Sequence, residues 1–345
     1  MKKKSVFILI AILLIWNVIL TVLLVSDKEV TPTVTEENVY GISTDLTKVV
    51  NDSYSSVVNV KSSFGKQTGF IYKQDNNIAY IVTTYHGIEK DNTITVTFAN
   101  GKSVAASAIG YDALKDVAVL SIDTQYVLNV AKCGDNEYTN KGEFVICIGS
   151  SSDIKKANEV ELGIVSNNLV NIDDKITIDK EQFNVQKEML ALSLNVGEGY
   201  SGSPIFNMKN EVIGMVQMGD EDGTYSLTIN ELKIIADNII SKIDFNKLEL
   251  GIKGKYIKDL EDYEKNMLNI PFETINGYYA EDVLPGSFAS KLGVLTGDVL
   301  VSINGTQITG QKDLLNILYS NTSDGIVMVI NRSDNQLELK GNIND

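Results

Sequence analysis

Three side chains have the types and settings that nucleophilic catalysis through a serine requires. The only histidine, His86, follows the apolar run AYIVTTY; Asp116 opens DVAVLSID; Ser201 lies in the loop NVGEGYSGSPIF. A serine hydroxyl is a weak nucleophile at neutral pH, and an imidazole has the pKa to take its proton and return it. A carboxylate on the far ring nitrogen fixes the tautomer and steadies the imidazolium. Glycines at 197, 199 and 202 free the backbone around the serine. The N–H groups of Gly199 and Ser201 then aim at one point, where a carbonyl oxygen becomes an anion, and such donors contribute ~3–4 kcal/mol each. Taken singly, each residue has an ordinary reading: a surface histidine, a strand-edge charge, a tight turn. Their order and their shared position at the ends of apolar runs join them.

The elements that must position these groups read mainly as β. Short runs rich in Val, Ile, Tyr and Thr recur from residue 56: SVVNVKS, GFIYK, AYIVTTY, TITVTFANGK, VAVLSID, EFVICIGS and EVIGMVQM. Gly, Asn and Asp punctuate them, the pattern of a barrel or sandwich. A helical pattern at 44–53 opens this body, with Thr44 or Asp45 as cap, and another at 228–243 closes it. Cys133 and Cys147 flank GDNEYTNKGEF, read as a hairpin. Buried free thiols are expected there, although the spacing leaves a bridge open.

Composition excludes several classes. The chain has 345 residues, 43% hydrophobic and 22% charged, which is globular material. Thirty basic and 45 acidic residues give a net charge of −15. The first 26 residues carry three lysines and no acid, so the remainder stands at 27 − 45 = −18. A body of that charge repels nucleic acid. One histidine and two separated cysteines cannot build the common zinc sites, and no G-x-x-x-x-G-K-[ST] loop occurs. No metal or cofactor is expected.

Residues 5–26, SVFILIAILLIWNVILTVLLVS, carry no charge and follow Lys2-Lys3-Lys4. At ~1.5 Å per residue this run spans a hydrocarbon core of ~30 Å. The basic cluster places residues 1–4 in the cytoplasm and the body outside. A cleaved signal peptide is the rival, but the run is long and VLLVSDKEV offers a poor cleavage site. Trp16 reads as part of this membrane run. The polar stretch 27–43 reads as a linker.

Local words now carry a resemblance. IVTTYH with His86, DVAVL with Asp116 and GYSGSP with Ser201 resemble the words of trypsin-like serine proteases, and more closely those of the bacterial HtrA family. SVVNV at 56–60, VICIGSS at 145–151 and VIG at 212–214 add to it. Ser203 stands where the family has a second glycine, and Tyr200 where digestive enzymes have an aspartate. Residues 244–345 resemble a PDZ domain, through ELGIKG, VLPGSFASKLGVLTGDVLVSINGTQI, DLLNIL and IVMVINR.

The resemblance implies a trypsin-like double β-barrel over 44–243 and a small α+β PDZ domain over 244–345, preceded by one transmembrane helix. It implies a membrane-anchored serine endopeptidase of a bacterial cell surface, acting on misfolded or specific extracytoplasmic proteins. Homotrimers are the usual minimum assembly. It places Val216, Gln217, Met218 and Gly219 along one wall of the substrate pocket, with no acid at its base and so a preference for uncharged, apolar residues. Leu250, Gly251 and Ile252 face the carboxylate of a C-terminal peptide, beside a helix at 312–320. The alternative is an inert, membrane-tethered PDZ scaffold or chaperone.

Overall fold

Short strands rich in buried apolar residues close two barrels of six strands. The first comprises β1 (Val57–Lys61), β2 (Lys66–Asp75), β3 (Ile78–Thr83), β4 (Ile94–Phe98), β5 (Ser103–Asp112) and β6 (Val117–Asp123), in the order β1-β2-β3-β6-β5-β4. The second comprises β7 (Phe144–Gly149), β8 (Glu159–Ile178), β9 (Glu181–Leu192), β10 (Pro204–Asn207), β11 (Val212–Asp220) and β12 (Gly223–Thr228), ordered β10-β11-β12-β9-β8-β7. The computed structural model describes Trp16 and residues 46–89, 93–150, 158–178, 181–220, 223–242, 249–319, 325–333 and 335–342. The expected anchor and linker lie outside the described residues, except Trp16, which is helical and exposed. No helix among the described residues is long and apolar enough to cross a membrane.

The strands bury both faces. Val58, Val60, Ile71, Ile81 and Leu120 fill the first barrel. Val145, Cys147, Leu190, Ile205 and Ile213 fill the second. Val57, Phe70 and Val82 from the first barrel meet Ile146, Phe206 and Met215 from the second in a separate apolar layer. Truncating Phe70 or Phe206 to alanine costs about 3–5 kcal/mol on the usual scale for a buried aromatic. That shared layer fixes the two barrels edge to edge, so loops from both meet at one cleft.

A helix, α1 (Leu46–Ser53), leads into β1, and α2 (Ile229–Ile240) follows β12, with Thr228 at its N-cap. The third body is a sheet of β13 (Ile252–Tyr256), β14 (Tyr278–Val283), β15 (Val299–Ile303), β17 (Ile326–Arg332) and β18 (Asn335–Gly341), with β16 (Thr306–Gln307) beside β15. Its helices are α3 (Asp262–Met267), α4 (Phe288–Leu292) and α5 (Gln311–Leu318). Ser287 caps α4 by accepting from the Ser290 N–H at 3.2 Å, and Gly293, at φ +91°, closes it. The expected mainly-β architecture, two barrels followed by a small α+β domain, is what the chain adopts.

One local expectation is overturned. Residues 134–144 are not a hairpin. Asp135 caps a 3-10 turn at Asn136–Tyr138, accepting from the Glu137 N–H at 3.0 Å, and Cys133 forms a parallel bridge with Val212. A side-chain cap there satisfies backbone donors that a hairpin would have paired. Both cysteines are free, and burial raises the Cys133 thiol to about 12.

Candidate active site

The apolar strand β3 runs into Thr83 and Thr84, both fully buried, and then delivers His86 to the surface. Tyr85 stacks on Tyr111 with ring centroids 4.3 Å apart. Such a pair is worth about 0.5–1.5 kcal/mol, and here it ties the loop of His86 to the end of β5. The turn from β5 to β6 presents Asp116, with the Lys115 N–H donating to Asp112 Oδ1 at 2.9 Å. Asp116 itself sits at φ +54°, a left-handed conformation that costs a non-glycine residue about 1–3 kcal/mol.

Both oxygens of Asp116 address His86. Oδ1 accepts from the His86 backbone N–H at 2.8 Å, and Oδ2 lies 2.7 Å from Nδ1. The imidazole side chain is 54% exposed and the carboxylate 14%. The hydrogen bond to Asp116 raises the imidazole's pKa, against the opposing pull of burial; the charges of Asp116 and Glu89 add to the rise and Lys187 subtracts. This geometry holds the Nδ1–H tautomer and leaves Nε2 to act as base.

The loop of Ser201 is docked onto the same end of the first barrel. The Thr68 N–H donates to the Ser201 carbonyl at 2.9 Å, and Thr68 Oγ1 donates to the Gly199 carbonyl at 2.9 Å. Thr83 Oγ1 in turn donates to the Thr68 carbonyl at 2.6 Å. Gly202, at φ +85°, is required here, because a Cβ would fall 2.1 Å from the Thr68 carbonyl oxygen. Its N–H and that of Ser203 are spent on the carbonyls of Val216 and Tyr200, each at 2.8 Å. The N–H groups of Gly199, at φ +96°, and of Ser201 make no backbone hydrogen bond among the described residues. Those two donors are available to an oxyanion.

Residues 67–215 match the trypsin-like peptidase domain, and residues 279–332 match a PDZ domain. The chain is 29% identical over 300 residues to the serine protease Do-like HtrA of Lactobacillus helveticus, covering 84% of this chain and 71% of that one. The chain is a trypsin-like serine endopeptidase with a PDZ domain, a homologue of the HtrA/Do-like proteases. It is also 30% identical over 265 residues to the serine protease Do-like HtrB of Bacillus subtilis, and there spans 57% of the relative's length. An HtrA-type protease, AlgW, solved with a tripeptide, shares the fold, with a TM-score of 0.58 over 85% of this chain and 95% of that one, at 18% identity.

In this HtrA homologue the substituted residues of the nucleophile loop are built into the second barrel. Tyr200 is buried in that barrel's core, and its hydroxyl donates to Glu159 Oε2 at 3.2 Å. Ser203 is fully buried. The four residues expected along the substrate pocket divide. Val216 is buried in the second barrel's core, and Gln217, 5% exposed, reaches across to the first barrel; Met218 is half-buried and Gly219 exposed. The reason is a bulge between Val216 and Met218, which turns the Gln217 side chain inward.

Leu250, Gly251 and Ile252 lead into β13 and lie against the peptidase barrels. They share a cavity of about 70 Å³ with Lys115, Glu188 and Glu231. Glu188 accepts from the hydroxyls of Tyr256 and Tyr278 at 3.0 and 3.1 Å and from Gln311 Nε2 at 3.1 Å. Burial raises its pKa, and those three donors oppose the rise. Glu231, on α2, accepts from the Tyr319 hydroxyl at 2.8 Å and pairs with Lys115 Nζ at 3.4 Å. Sequence reasoning missed Thr68, Lys115 and Glu188, and read Gln217 as a pocket wall and not as a bridge to the first barrel. Lys115 had one available signal, its place beside Asp116; the partners of the others lie too far along the chain to be inferred.

Proposed function

We propose that this chain is a membrane-anchored endopeptidase that hydrolyses extracytoplasmic proteins through an acyl-enzyme on Ser201. His86 takes the Ser201 proton as the hydroxyl attacks the scissile carbonyl, and gives it to the leaving amine; water then repeats the sequence to release the acyl group. Asp116 orients His86 and steadies the imidazolium, while the Gly199 and Ser201 N–H groups hold the oxyanion. The observation that carries this reading is the two-point grip of Asp116 on the backbone and ring of His86, together with a serine loop docked on the same barrel whose Gly199 and Ser201 N–H groups make no backbone hydrogen bond among the described residues. An inert scaffold has no use for that arrangement.

The remaining roles rest on the resemblance and on the sequence. Residues 5–26 anchor the chain with residues 1–4 cytoplasmic, 27–43 link, 44–243 cleave and 244–345 recruit chain ends or gate the protease. Homotrimers and a quality-control role follow the family. Leu250, Gly251 and Ile252 receive a terminal carboxylate. Met218 and Gly219 border an S1 site for uncharged residues; a substrate-library profile dominated by cleavage after Lys or Arg contradicts that preference. The main test is degradation of unfolded casein by the full-length chain, with and without C-terminal peptides. Cleavage by wild type and none by Ser201→Ala is expected. A folded wild type inert in all conditions points to the scaffold.

A further inference from the structure

The bulge in β11 places Gln217 where neither barrel's own packing needs it. Val216 pairs with Ser226 and Met218 with Tyr225, so Gln217 is the extra residue. A bulge re-aims a side chain, and this one crosses to the first barrel. Gln217 Nε2 donates to the Lys115 carbonyl and lies 3.5 Å from the Asp116 carbonyl. Its Oε1 accepts from Lys187 Nζ at 3.3 Å, and Lys187 also donates to Asp174 Oδ2 at 2.9 Å. Lys187 is 2% exposed. An ammonium has no acceptor, so it sets which end of the amide faces it and which faces Lys115.

The peptide that Gln217 holds joins Lys115 to a residue in a strained conformation. Asp116 occupies a left-handed conformation, which persists only where surroundings over-determine it. Neighbouring restraints include the Asp112 cap on the Lys115 N–H and the Lys115–Glu231 pair. Neither touches a carbonyl of the turn. We infer that Gln217 is a positioning residue, which spans the cleft between the barrels and locks the Lys115–Asp116 turn so that both Asp116 oxygens meet His86. This rests on the triad reading above. Gln217 is 5% exposed and its amide is spent on the Lys115–Asp116 turn, so it acts through Asp116.

The test uses the full-length chain as wild type, Gln217→Leu, Gln217→Glu and Ser201→Ala. Rates on labelled casein are measured against pH, and the His86 ring is titrated by NMR, which needs no assignment because the chain has one histidine. Asp116, Glu89 and Lys187 are the charged groups facing that ring; Gln217→Leu alters none of these charges and leaves Lys187 its bond to Asp174. Gln217→Leu is expected to lower kcat roughly 10- to 100-fold, the scale of a misplaced catalytic group, with KM within about twofold. The His86 pKa is expected to fall towards its ordinary value. Gln217→Glu keeps the size and the Lys187 partner but loses the donor, so kcat falls alike; it supplies the answer if the leucine variant does not fold. A kcat within about threefold of wild type and an unmoved His86 pKa in folded Gln217→Leu overturn the inference. Wild-type activity in Ser201→Ala overturns the triad itself, a distinct result.

Discussion

Asp116 and Glu188 are both acceptors at the centre of a hydrogen-bond cluster, and they are set up in opposite ways. Asp116 meets an ionisable, half-open partner, the His86 ring, at 2.7 Å, and its other oxygen accepts from the His86 backbone N–H at 2.8 Å. Glu188 meets two phenols and an amide, all neutral, where the PDZ domain lies on the second barrel. A carboxylate facing a group that gains charge during a reaction stabilises the transition state more than the ground state. One surrounded by fixed neutral dipoles has no such asymmetry and contributes to assembly. Partner type, not residue type, separates chemistry from docking in this molecule.

The largest expected effect breaks the comparison directly. Asp116→Asn lowers kcat by about 10⁴-fold, as loss of the orienting acid does in other Ser-His-Asp triads, and its acid limb moves to lower pH. In wild type the raised His86 pKa places that limb above the ordinary histidine value, because the ring must be neutral to act as base. Glu188→Gln, in contrast, leaves kcat within about threefold on the same assay. Equal losses from the two changes remove the distinction.

Gly202→Ala is the next largest. Its Cβ strikes the carbonyl of Thr68, the residue whose N–H and hydroxyl dock the serine loop onto the first barrel. A displacement of that loop costs about 10²-fold in activity, read as kcat on a folded variant.

Smaller effects sharpen the other side. Glu188→Leu leaves the Tyr256 and Tyr278 hydroxyls and the Gln311 amide without their acceptor. Each such orphan costs about 1–3 kcal/mol, measured by urea unfolding with KM and kcat little changed. The pH dependence has a definite sign. Glu188 has a folded pKa above its ordinary 4.5, so the native state holds the proton more tightly. Its contribution to stability is present below 4.5 and is lost as pH rises through the raised value. Glu188→Gln flattens that part of the stability profile; an unchanged slope contradicts the assignment.

The sequence made the chemistry legible because its words are local. IVTTYH, DVAVL and GYSGSP each place one group at the end of one strand, and the physics of strand ends reads directly from residue types. The barrels were legible for the same reason, in runs of alternating or doubly buried apolar residues such as VVNVK. What stayed hidden depends on distant pairs. The extended β8–β9 hairpin, where Asn171 Nδ2 donates to the Gly254 carbonyl at 2.9 Å, joins residues 83 positions apart. Gln217 read as a pocket residue because a bulge is a property of two strands in register, not of either alone. The segment after Cys133 read as a hairpin because its polar residues suit a turn, whereas Asp135 uses them to cap one.

The central claim is that Ser201 is the nucleophile, activated by His86 held on Asp116. The most direct measurement treats folded full-length wild type and Ser201→Ala with a fluorophosphonate and maps the adduct by mass spectrometry. Losing the serine of a related triad, that of subtilisin, costs ~10⁶ in turnover, so background labelling is negligible. A single adduct on Ser201 in wild type, absent from Ser201→Ala, is the predicted result. An adduct elsewhere, or equal labelling of both proteins, contradicts the account.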